Sequence, residues 1–150
     1  MFRRLIETAA VWFPLPVRLA LGAVFIGHGA QKVFGVWGGK GLAAFAAAPQ
    51  APMGLRPVWL WMGAAALAEL VGGVLVLLGL LTRVGAFMLA CVMFVAMVGV
   101  HWGAFFMPTG IEYTVALMGM AVALLISGGG QLSADAALQG PRAFGAGRRR

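Results

Sequence analysis

The sequence is short of groups that hold water. Only 10% of its 150 residues are charged, and only four are carboxylates: Glu7, Glu69, Glu112 and Asp135. A soluble domain carries roughly 25% charged residues, so a water-exposed globular fold is excluded and lipid is the solvent this chain needs. The single cysteine, Cys91, stands in an apolar run, which rules out an intrachain disulfide and a Cys-x-x-Cys thiol relay. The net charge of +7 comes from lysines and arginines at the ends of apolar stretches. They do not form a patch interleaved with aromatics, so they read as topology signals and not as a nucleic-acid surface. No small-residue cleavage site closes the first apolar run before His28 and Lys32, so that run is expected to be retained as a span.

What is present is hydrocarbon. Hydrophobic residues make up 62% of the chain, its mean hydropathy is +0.96, and four spans of about 20 residues with short connections use nearly all of its length. The expected fold is therefore all-α, an integral-membrane bundle of four transmembrane helices over about 17–34, 58–81, 84–106 and 111–127, in a domain covering 17–130. In residues 1–16, Phe2, Leu5, Ile6 and Ala9 recur at helical spacing beside Arg3, Arg4 and Glu7, which predicts an interfacial helix stopped by Pro14 and Pro16. Residues 35–57 form the longest connection, and residues 131–150 read as a loosely ordered, polar, basic tail. With four spans the termini share a side. That side collects eight basic residues (Arg3, Arg4, Arg18, Arg83, Arg142, Arg148, Arg149 and Arg150) against Lys32, Lys40 and Arg56 opposite, which predicts that both termini are cytoplasmic. Arg18 is expected to snorkel at the start of span one. Ala64, Ala68 and Gly72 recur every four residues and would let helix backbones approach closely.

A charge at mid-bilayer costs roughly 2.5–3.5 kcal/mol, so an intramembrane ionisable residue implies a partner or a function. Glu69 lies near the middle of span two, His28 in span one and His101 near the outer end of span three; Lys32 follows His28 by four residues, on the same helix face. With Glu112 and Tyr113 at the start of span four, these residues are candidates to line one polar pocket, and Glu69, His28 and His101 are candidates for catalytic proton transfer. In that reading they exchange protons with a quinone, and Lys32 or Arg18 adds positive charge for an anionic group. In the structural reading Glu69 pairs with Lys32 or Arg83, and the histidines hydrogen-bond across the bundle. Neither histidine sits in a haem motif, Met93 and Met97 read as packing rather than copper ligands, and no metal site is expected. "GGGQLSAD" lacks the ending of a phosphate loop and reads as a helix stop, with Ser133 or Asp135 capping the next segment.

Three segments, "RLALGAVFIGHGAQKVFG", "LAELVGGVLVLLGLLTRVGA" and "PTGIEYTVALMGMAVALLISGGGQLSAD", together resemble the DoxX family of small bacterial membrane proteins over about residues 17–136. The resemblance implies four transmembrane helices in the bacterial inner membrane. It also implies kinship with the DoxD subunit of thiosulfate:quinone oxidoreductase, in a family whose other members are linked to oxidative-stress defence or quinone detoxification. The positions that match its polar motif are His28, Lys32, Glu69, Arg83, Glu112 and Tyr113. The function expected is thus a membrane subunit or accessory protein of a quinone-linked redox system, not catalytic alone, that works with other membrane subunits or as a homo-oligomer and does not bind nucleic acid. The alternative is a non-enzymatic assembly or structural subunit of a larger membrane complex.

Overall fold

A computed structural model describes residues 5–8, 10–106 and 110–139, and among these it contains helices and no strand. We number the helices α1 (Pro14–Phe34), α2 (Gly41–Ala46), α3 (Val58–Leu78), α4 (Thr82–Gly99), α5 (Glu112–Ser127) and α6 (Ala134–Gln139). α3 and α4 have 21 and 18 residues and mean hydropathies of 2.0 and 1.9. At about 1.5 Å per residue both are long enough to cross the hydrocarbon of a bilayer, so this is a membrane protein. α1 matches α3 in length but carries Arg18, His28, Gln31 and Lys32, and α5 is shorter, at 16 residues. Large apolar side chains such as Leu67, Val71, Phe87, Phe94, Val122 and Ile126 point outward, as a lipid-facing surface requires.

α1 packs along α3, α3 along α4, α4 along α5, and α5 also meets α1. Leu21, Phe25, Val76, Leu89, Ala121 and Leu124 fill the space between them and are almost wholly buried. The α1–α3 contact depends on missing side chains. A β-carbon at Gly29 would collide with the backbone of Leu70, and one at Gly73 with that of Phe25 and Ile26. Of the small residues expected to bring helices together, Gly72 does so, against Leu89 and the Gly85 carbonyl of α4.

The prolines expected to stop an interfacial helix instead open α1, where the first turn has no need of their missing N–H groups. Of that helix, residues 1–4 and 9 lie outside the described residues, and in the remainder only Leu5 is helical. Span three also ends sooner than the apolar run suggests. α4 stops at Gly99 because the turn Pro52–Gly54 crosses there, where a β-carbon would strike Pro52 and Met53. His101 therefore lies beyond the helix.

The end of the bundle that holds the α3–α4 turn is closed by polar bonds. Arg18, 3% exposed, donates to the carbonyls of Val76 (3.0 Å), Leu77 (2.9 Å), Gly129 (2.9 Å) and Leu132 (2.7 Å). Asp135 accepts from the N–H of Leu81 (2.7 Å) and from both the N–H (2.9 Å) and hydroxyl (2.7 Å) of Thr82. Arg83 donates to the carbonyls of Leu125, Ile126 and Glu7. Two guanidiniums thus meet carbonyl-rich helix C-termini and a carboxylate meets a helix N-terminus, the arrangement favoured by unpaired end groups and the helix dipole. Arg18 does not snorkel, and Arg83 does not pair with Glu69. Nor are residues 131–139 a loose tail. Ser133 Oγ accepts from the Ala136 N–H at 3.0 Å as the cap of α6, while Asp135 caps α4 instead. Gln131 donates through Nε2 to the Ala10 carbonyl and Gln139 to that of Ile6, tying the two terminal segments together. The rest of the expected tail, residues 140–150, lies outside the described residues.

Candidate functional site

The opposite end is built around an ion pair. Glu69 projects from the middle of α3, and both of its carboxylate oxygens accept from Lys32 Nζ on α1. The Glu69 side chain is 5% exposed and that of Lys32 25%, so the pair sits largely out of solvent, where one charge alone would be costly. Lys32 also lies over the Phe45 ring, with Nζ 5.5 Å from its centroid, and gains from the ring's negative face. Phe45 belongs to α2, which returns toward the bundle because the chain bends by 98° after α1.

Beside the pair opens a cavity of about 620 Å³ between α3 and α4. On the α3 side its wall is shallow, made by Ala64, Ala65 and Ala68; Phe87, Met88, Cys91, Val92 and Val95 of α4 face them. Phe45, Pro52 and Leu55 border it from the connecting loop, and Lys32, Glu69 and His101 supply its polar groups. The alanines expected to seat a neighbouring helix therefore leave a space instead. Ala64, Phe87 and Cys91 are exposed, so the cavity communicates with the surface that faces lipid.

The expected single pocket is divided. His28 borders a second cavity of about 320 Å³ with Gln31, Trp37 and Tyr113. Four residues advance a helix by about 400°, so His28 stands roughly 40° around from Lys32. The buried line of α1 runs through Arg18, Leu21, Phe25 and Gly29 and continues to Lys32. His28 lies at its exposed margin, and its imidazole makes no hydrogen bond among the described residues. Lys32, Glu69 and His101 thus share one cavity, His28 and Tyr113 another, and Glu112, in the first turn of α5, borders neither. Arg18 is remote from both. Residue chemistry alone did not mark Phe45, Trp61, Gln31 or Trp37; the run "AAALAE" before Leu70 is the one local sign of the larger cavity.

The DoxX family model matches residues 13–102. The chain belongs to the DoxX family. The matched stretch holds α1 to α4, and with them the Lys32–Glu69 pair, His28, His101 and the whole lining of the larger cavity. Tyr113, α5 and α6 of this DoxX protein lie beyond it, so the match stops short of the third segment that carries the resemblance in sequence. Searches among curated proteins and among solved structures give no match.

Proposed function

We propose that this DoxX protein is a membrane subunit or accessory protein of a quinone-linked redox system, and that the larger cavity takes the quinone ring laterally from the bilayer. The observation that carries this reading is a lipid-communicating apolar space whose polar wall is a closed ion pair with His101 nearby. Its volume lies within the roughly 300–1,000 Å³ usual for small-molecule sites. Lys32 and Glu69 together carry no net charge, which favours an uncharged ligand over an anion. A quinone supplies two-electron, two-proton chemistry when bound, with electrons delivered by a partner subunit. The protein's part is to orient and to handle protons: Lys32 Nζ is a donor for a carbonyl oxygen, and Glu69 is a carboxylate able to pass a proton at its Oε atoms. In the same reading all four long helices cross a bacterial inner membrane, and the polar-bonded end with both termini is cytoplasmic.

One observation favours a second reading, that of a non-enzymatic structural or assembly subunit. Both Glu69 oxygens are already engaged by Lys32, as in an ion pair whose role is to fix helix register. The readings separate on three variants purified from membranes, scored for retained quinone and for thermal stability. Ala65→Leu should fill the cavity and abolish quinone retention with little loss of stability. Glu69→Gln should lower both, since stranding a buried partner costs about 3–5 kcal/mol. The double replacement Lys32→Met with Glu69→Leu removes both charges and should restore stability but not quinone. Retention of quinone by Ala65→Leu, or by the double variant, overturns the redox reading and leaves the structural one.

A further inference from the structure

We propose that the second cavity, bordered by His28, Gln31, Trp37 and Tyr113, is a separate binding site for an uncharged sugar ring. Its polar groups are an imidazole, a carboxamide, an indole and the only tyrosine hydroxyl in the chain. No carboxylate, lysine or arginine borders it, so a phosphate or ammonium group would enter without a compensating charge, whereas hydroxyls find both donors and acceptors. About 320 Å³ is room enough for one pyranose ring.

Trp37 supplies the second, independent observation. It stands in the left-handed region (φ 50°, ψ 39°) between Gly35 and Gly38, a conformation that a bulky residue adopts only at a cost. Burial does not offset that cost, because Trp37 is 74% exposed. The loop is nevertheless fixed in place. Gly39 lies so close to the Gln31 carbonyl that no β-carbon fits, and Gln31 Nε2 reaches the Trp37 carbonyl at 3.4 Å. The chain thus holds a strained backbone that presents a flat indole outward beside three hydrogen-bonding side chains. An indole packs on the C–H face of a pyranose while neighbouring amide, imidazole and phenol groups bond its hydroxyls. Such a ring can arrive as a glycolipid head group or as a free sugar.

The test uses the intact protein. In nanodiscs containing monoglucosyl diacylglycerol or, separately, phosphatidylglycerol, native mass spectrometry reports retained lipid; saturation-transfer NMR with methyl glucoside reports the free sugar. We expect saturable glucolipid binding in preference to phosphatidylglycerol. Methyl glucoside binding as tightly as the glucolipid would identify a soluble sugar as the source, and weaker binding a lipid. Trp37→Gly should weaken binding about tenfold or more while melting no lower than the parent, because glycine relieves the strained φ. Tyr113→Phe, which keeps the ring and the backbone, should weaken it severalfold. The proposal fails if neither probe binds, if phosphatidylglycerol binds equally well, if Trp37→Gly binds normally, or if that variant melts well below the parent, which would make Trp37 a packing residue.

Discussion

Arg18 and Asp135 are charged side chains whose partners are mainly backbone. Arg18 spans the end of α3 and the segment after α5, and Asp135 acts on it through space as a compensating charge. Arg18→Met would remove the guanidinium that four carbonyls share in a buried setting, and should destabilise the protein by about 3–5 kcal/mol in thermal unfolding from detergent micelles. Arg18→Lys should recover little, since an ammonium cannot match a planar fork that reaches four acceptors. Asp135→Ala removes a helix cap and should cost less, about 1–2 kcal/mol. Hydropathy alone drew attention to Glu69 and offered Lys32 as one of two partners. It misread Arg18, whose acceptors lie 58 to 114 residues away and leave no local pattern.

At the scale of elements, the α1–α3 pair is specified by glycines more than by apolar surface. Gly29→Leu or Gly73→Leu should force the two backbones apart, lower thermal stability by about 1–3 kcal/mol or more, and reduce abundance in membranes. Gly119→Leu, on a helix face with nothing within 4 Å, should be tolerated; equal damage from all three would refute the close-packing account. Long apolar periodicity made α1, α3 and α5 legible as helices to within a few residues. It overran α4, whose end is set by the crossing turn Pro52–Gly54. It also missed α6, six residues long and stabilised by Ser133 and by contacts with the other terminus. The alanine run of α3 was legible as a small-residue stripe, but whether such a stripe seats a helix or borders a cavity depends on the large side chains that face it from α4.

For the whole molecule, the two ends of the bundle differ in kind. One is closed by guanidiniums and a carboxylate bonded to helix termini; the other holds the Lys32–Glu69 pair, both cavities and the bent connection after α1. With Cys91→Ser as background, Lys40→Cys should react with a membrane-impermeant maleimide in intact spheroplasts, and Ala137→Cys only after lysis. The reverse pattern would overturn the proposed cytoplasmic placement of the termini.

The bonds of Arg18 also impose an order on biosynthesis. Its side chain is synthesised with α1, but the carbonyls of Gly129 and Leu132 that share its guanidinium follow more than a hundred residues later. Until residues 129–135 have been made, Arg18 lacks half of its acceptors and the start of α4 lacks its carboxylate cap. A nascent chain halted before residue 129 would therefore leave this end of the fold unlatched.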